Sequence, residues 1–389
     1  MWRLSNRQAR TSSAPAMRFW SCEPVRVSVG RTCRLLASSV SMLAALAGAS
    51  AAQGRAVPDT LRDTEVLLLG THGGPFLSGD RSESSSLLIV DGRPYLIDCG
   101  IGTMRRLIRA GIRSETIRTI FITHHHPDHD LDLASVMAND FNSLRFAGGT
   151  ATVNIYGPPQ TQELVEAAFR YISIPFGVFA AEPPGAAVHV RNPFAAHDIR
   201  GNGLVYQDDK IRVIAAENSH YALMPAEFHG RMQSYSYRFE TPHGVVIYTG
   251  DTGPSDAVTQ LAQGADVLVS LALDLDAMAT SLQQAAKANN WSPELLHAHM
   301  AHMRDEILDL REVGELASKA HVKAVVLNHL GPDGVQPSVF VSGVKQYYSG
   351  PVYAGADFDR YCLMGQARSA GGGDQHSTMH RCEPTSLKE

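Results

Sequence analysis

The chain of 389 residues is 44% hydrophobic and 19% charged, with 33 Gly, 20 Pro, 17 His, 5 Cys and a formal net charge of −5. That balance excludes a disordered polyelectrolyte, a collagen and a small disulfide scaffold, and the length allows one large domain or two ordinary ones. Histidine stands out, because His124, His125 and His126 are consecutive and His129 follows.

Residues 1–52 read as a leader. They hold seven Arg against one acid, Glu23, and Arg31 and Arg34 precede an apolar, small-residue run from Leu35 to Ala49 that ends in Ala49-Ser50-Ala51-Ala52. This is the order of a secretory signal, with Met17 as a start that would shorten its charged region; the alternative is a disordered tail. The apolar run is too short to span a bilayer, so no stable membrane partner is expected after cleavage and the mature chain is expected to be periplasmic or secreted. The remainder carries 27 basic and 38 acidic residues, a net of −11. Affinity for long polyanions rests on Lys and Arg neutralising phosphates, so nucleic acid is a disfavoured partner. Export also suits Cys362 and Cys382, which could pair, whereas Cys99, between Asp98 and Gly100 at a strand end, reads as a small buried residue.

From Glu65 onward, short apolar strands alternate with amphipathic helices. Residues 65–70, 86–90 and 94–97 read as strands, the last two joined by an Asp91-Gly92 turn. Residues 102–110 read as a helix with Met104, Leu107 and Ile108 on one face. A short buried strand at 119–122 runs directly into the histidines. Further strands are expected at 152–156, 211–215, 234–240, 245–249, 267–270 and 324–327, and helices at 161–171, 256–263, 292–303 and 308–320. Residues 172–209, rich in Pro, Gly and Ala, read as an irregular excursion, and the chain beyond 366, with Gly371-Gly372-Gly373, as disordered. Such a mixture predicts α/β sheets covered by helices.

His124-x-His126-x-Asp128-His129 places four donors within six residues. Two-residue alternation sends His124 and His126 to one side, while the turn presents Asp128 and His129 to a neighbouring position. Imidazole and carboxylate suit zinc and similar divalent ions, and four such donors cannot all reach one ion, so two metals are expected. His220, Asp251 and His329 each follow an expected strand, where α/β proteins build their sites.

These residues, with Gly70-Thr71-x-Gly73-Gly74-Pro75, Asp98-Cys99-Gly100, Ile155-Tyr156-Gly157-Pro158, Tyr248-Thr249-Gly250-Asp251-Thr252 and Leu327-Asn328-His329, resemble the metallo-β-lactamase-fold hydrolases of the ribonuclease Z-like and arylsulfatase-like branch. The resemblance implies a four-layer αββα sandwich, with a leader at 1–52, a single catalytic domain at 57–365 and a tail at 366–389. It assigns His124, His126 and His220 to one metal, Asp128, His129 and His329 to a second, and Asp251 to both. Asp98 supports the ligand loop. Two cations about 3.5 to 4 Å apart bring a shared water towards neutral pKa and polarise an ester oxygen, so a metal-bridged hydroxide needs no Ser or Cys nucleophile. Asp128 is then essential to turnover, and His299 and His302, three apart on one helix face, are the candidate proton donors.

Departures from the ribonuclease Z pattern narrow the substrate. Where that family carries His-Glu-Ala-Thr, this chain reads Ser270-Leu271-Ala272-Leu273, and residues 172–188 contain no Lys or Arg for a nucleic-acid clamp. The expectation is therefore a small phosphodiester, sulfate ester or carboxylic ester in an apolar-rimmed pocket, with Phe141, Phe176, Phe179 and Tyr221 as rim candidates that could equally be core residues. A β-lactamase or lactonase, a non-catalytic metal-dependent binding protein and a ribonuclease Z-type tRNA 3′-end endonuclease are the alternatives. A homo-oligomer stays open.

Overall fold

The computed structural model describes residues 63–74, 77–147, 151–181, 192–364 and 378–382. The expected leader, Pro75 and the Gly371–Gly373 run lie outside them. The chain begins with Asp63–Gly70 (β1), Ser85–Val90 (β2), Arg93–Ile97 (β3), Thr119–Phe121 (β4), Val153–Gly157 (β5) and Phe194–Asp198 (β6). A second set follows, Gly203–Gln207 (β7), Arg212–Glu217 (β8), Tyr235–Thr241 (β9), Gly244–Tyr248 (β10), Val267–Leu273 (β11), Ala324–Gly331 (β12) and Val352–Ala354 (β13), and the chain returns through Arg360–Met364 (β14) and Thr378–Arg381 (β15). The first sheet runs β15-β14-β1-β2-β3-β4-β5-β6 and the second β13-β12-β11-β10-β9-β8-β7.

Period-two alternation divides the core. Along β1, Val66 and Leu68 enter the apolar layer between the sheets, while Leu67 and Leu69 enter the layer under helices. The central layer holds Phe121 at the end of β4, whose ring lies 5.2 to 5.7 Å from those of Tyr156, Tyr206, Tyr237 and Phe239. Truncating so buried a ring costs about 3–5 kcal/mol. Phe121 thereby fixes the strand from which the histidine loop departs.

Helices close both outer faces. Thr103–Arg109 (α1), Leu133–Ala147 (α3) and Thr161–Ala181 (α4) cover the first sheet, with the single turn Pro127–Asp130 (α2) preceding α3. Asp256–Leu261 (α5), Leu310–Lys319 (α8) and Pro337–Lys345 (α9) cover the second. The result is the expected α/β four-layer sandwich. Between β11 and α8 lies a helical pair, Leu275–Asn289 (α6) and Pro293–Asp305 (α7), which pack on each other. Asp274 caps α6 through Ala277 N–H at 3.0 Å, Asn290 ends it at φ 53°, and Ser292 caps α7 ahead of Pro293.

The structure corrects three expectations. Within 172–209, the described residues are not an irregular excursion, because α4 continues to Ala181 and both β6 and β7 fall among them. Pro175 removes one amide donor, yet Ile172 and Phe176 keep the buried helical face four residues apart. Part of the expected disordered tail forms β15, which pairs with β14 and is tied to it by the Cys362–Cys382 disulfide. Helices α3, α6 and α9 were not foreseen.

Candidate metal centre

Asp98 follows β3 with φ 59°, and its carboxylate is the anchor of the histidine loop. It accepts Thr123 N–H at 2.7 Å, Thr123 Oγ1–H at 2.9 Å and His129 Nδ1–H at 2.8 Å. His129 therefore turns its other nitrogen, Nε2, towards Asp251 Oδ1 at 3.5 Å and Asp128 Oδ2 at 3.7 Å. Gly74 is needed here for close approach: its N–H reaches Asp128 Oδ2 at 3.1 Å, and a Cβ would stand 2.1 Å from that oxygen.

The remaining donors arrive from strand ends of the second sheet. His220 follows β8, and its Nδ1–H donates to the Glu306 carbonyl at 3.0 Å. Asp251 follows β10 after Gly250 at φ 57°. His329 sits within β12 at φ 44°, where the pairing with β11 slips by one residue, so a bulge re-aims its ring into the site. Its Nε2 lies 3.2 Å from Asp128 Oδ2 and 3.4 Å from Asp251 Oδ2.

Three overlapping donor groups result: His124 with His126 and His220, Asp128 with His129 and His329, and between them His124 with His129 and Asp251, whose carboxylate also reaches towards His220. In the first, His124 Nε2 and His220 Nε2 each lie 3.1 Å from His126 Nδ1. Thr123 Oγ1 takes the Nδ1 proton of His124 and the Glu306 carbonyl that of His220, so two bare nitrogens converge on a third. Burial pushes His124 well below the ordinary imidazole range and His220 down to about 3, which keeps these rings neutral and able to ligate. In the second, burial acts to lower His129, but the charges of Asp251, Asp128 and Asp98 override it and hold the ring well above its ordinary range. Burial acts to raise Asp251, and His329 and His129 override it in turn. His129 Nε2 and Asp251 Oδ1 are both buried and lack hydrogen-bond partners. Orphaned groups of this kind, aimed at one another, fit a cation between them.

His125 points away, to Asp130 at 2.8 Å and Thr161. His302 joins the site: its ring centre is 5.3 Å from that of His220, and its Nδ1 lies 2.5 Å from Glu306 Oε2. His299 packs on Trp291 at 4.8 Å, and with His126, Asp128, Asp251, His302 and His329 it lines one cavity. Of the rim candidates, Phe141 is buried and meets the half-buried Phe176 edge-to-face between α3 and α4, Phe179 is exposed, and none of the three lines the cavity. Tyr221 lies 5.3 Å from the His126 ring. Glu306, His72 and Trp291 carry parts of the site that the sequence reading did not single out; the Gly70–Gly74 motif around His72 was the available signal.

The Beta-lactamase superfamily domain profile matches residues 93–330. The chain belongs to that family, and with it to the metal-dependent hydrolases of the metallo-β-lactamase superfamily. Ribonuclease Z of Mycobacterium bovis is 28% identical over 300 residues, 76% of this chain and 97% of that protein. Ribonuclease Z of Methanothermobacter thermautotrophicus is 28% identical over 307 residues, 73% and 92%. Among solved structures, the metallo-beta-lactamase fold protein YhfI from Bacillus subtilis matches with TM-score 0.57 at 16% identity, over 77% of this chain and 99% of that one. Human tRNase Z, short form, matches at 0.53 and 19%, over 76% and 98%.

Proposed function

We propose that this hydrolase acts on small phosphodiesters, sulfate esters or carboxylic esters, holds two divalent metal ions, and works outside the cytoplasm. The observation that carries the metal reading is the set of overlapping donor groups with the orphaned His129 Nε2 and Asp251 Oδ1. His124, His126 and His220 would hold one ion, Asp128, His129 and His329 the other, with Asp251 shared. Nitrogen and carboxylate donors in this ratio suit Zn²⁺. When bound, the pair supplies Lewis acidity and activates water at neutral pH.

The chain's own side chains do the rest. Asp98 fixes the tautomer and aim of His129. Glu306 orients His302 through Nδ1, leaving Nε2 to give a proton to the departing oxygen. His302, rather than His299, takes this role because it alone of the two is in ring contact with ligand histidines. The Cys362–Cys382 disulfide supports export to an oxidising compartment.

A second reading, tRNA 3′-end processing, draws on the relatives named ribonuclease Z. Their name stands against the expectation that nucleic acid is a poor partner. The test is one panel, offered to the zinc-loaded protein: bis-4-nitrophenyl phosphate, 4-nitrophenyl sulfate, 4-nitrophenyl acetate, a chromogenic cephalosporin, a lactone and a precursor tRNA. Turnover of a small ester that disappears in Asp128→Ala supports the first reading. Cleavage of the precursor tRNA alone overturns it.

A further inference from the structure

A cavity of about 550 Å³ opens directly on His126, Asp128, Asp251 and His329. Its far wall is largely apolar: Leu273 at the end of β11, Met278, Leu282 and Ala285 of α6, Trp291 between the helices and Met303 of α7 build it, with Ser281 of α6 and His299 and His302 of α7 as its polar members. The volume is that of a small-molecule site. Among the described residues that line it there is no Lys or Arg, and its carboxylates, Asp128, Asp251 and Asp333, are acidic. The nearby Arg81 is committed to Asp333, to the Leu330 carbonyl at 3.1 Å and to the Thr71 carbonyl.

We infer that the α6–α7 wall seats an uncharged aryl or medium-chain alkyl group of the substrate, so that the preferred ester carries charge only at its reacting centre. This rests on the hydrolase reading and adds the substrate class to it. A polyanion would bring its further phosphates against Leu273, Met278, Leu282, Ala285 and Trp291, where no described Lys or Arg meets them, and each buried unpaired charge is costly. An alkyl group gains with every methylene it removes from water, by roughly threefold to fourfold in affinity. Leu273 is decisive in this respect, because the strand end that delivers it to the cavity is wholly buried and presents no polar side chain there.

Two arms on the zinc-loaded full-length protein test the seat. In the first, kcat/KM is measured for 4-nitrophenyl methyl, butyl and octyl phosphate, for 4-nitrophenyl acetate, butyrate and octanoate, and for the 4-nitrophenyl ester of thymidine 5′-phosphate. In the second, methylphosphonate and octylphosphonate are titrated while the emission of Trp291, isolated by difference against Trp291→Phe, is followed. The expected results are a rise of at least about tenfold from the shortest to the longest chain in any series turned over, and at least about tenfold tighter octylphosphonate binding with a change in Trp291 emission. Ala285→Trp, which fills the seat, should flatten both trends. Equal binding of the two phosphonates, or preference for the nucleotide ester over the octyl ester, overturns the seat. Tight octylphosphonate binding without turnover of any ester leaves the seat standing and overturns the small-ester reading instead.

Discussion

Glu306 Oε2 lies 2.5 Å from His302 Nδ1, and the backbone carbonyl of the same residue accepts His220 Nδ1–H at 3.0 Å. One residue at the end of α7 thus orients a ligand through its main chain and the candidate acid through its side chain. The two roles separate on substitution. Glu306→Gln keeps the carbonyl and the volume but loses the charge that holds His302, so kcat should fall about 10- to 100-fold. KM and zinc content should hold. His302→Ala should cost about 10²- to 10⁴-fold in kcat. Steady-state kinetics with metal analysis checks this, and an unchanged kcat in both variants would remove His302 from the chemistry.

Asp98 meets three donors, Thr123 N–H, Thr123 Oγ1–H and His129 Nδ1–H, all within 2.9 Å. An amide oxygen cannot serve all three. Asp98→Asn should therefore weaken the proposed site on Asp128, His129 and His329 by about 10- to 100-fold, and the proposed site on His124, His126 and His220, which Asp98 reaches only through Thr123 Oγ1, by clearly less. Competition titration with a zinc chelator reads the two affinities separately. Equal weakening of both would show that Asp98 supports the loop as a whole instead of His129.

Asp140 in α3 is a buried carboxyl outside the site. Burial raises it from 3.8 to about 7, opposed by the hydrogen bond from Ser114, and its Oδ2 has no partner. The folded protein therefore keeps this proton up to about pH 7, whereas the unfolded chain loses it near 3.8. Stability from this group is complete below pH 3.8 and is lost as pH rises to about 7. Asp140→Asn should raise the unfolding free energy at pH 8 by up to about 4 kcal/mol, with the gain shrinking towards pH 4. Urea titrations across that range decide it; a difference independent of pH would show that the carboxyl is ionised in the folded state.

The candidate donors that the fold gathers were legible because each sits beside a strong local signal. His124 to His129 follow a short apolar strand, Asp251 follows Gly250, and His329 closes an apolar run. The bulge that turns His329 inward was not legible, since it is a slip in pairing with β11. Nor was α6, because the apolar run Val267–Leu273 continues into Leu275 and only Asp274, the cap, marks the change from strand to helix. The partnership of Glu306 with His220 spans 86 residues and uses a backbone carbonyl, which no side-chain pattern records. The rim phenylalanines failed for a related reason: the sequence showed their apolarity, but only the continuation of α4 past Pro175 put Phe176 against the core.

The central claim is that two cations share this site through Asp251. Elemental analysis of the purified protein beside Asp251→Ala, with ester turnover measured on the same samples, addresses it directly. Close to two equivalents of zinc per chain are expected in the parent and clearly fewer in the variant, with turnover lost with the metal. One equivalent or none in an active parent, or full activity in a metal-depleted variant, would contradict it.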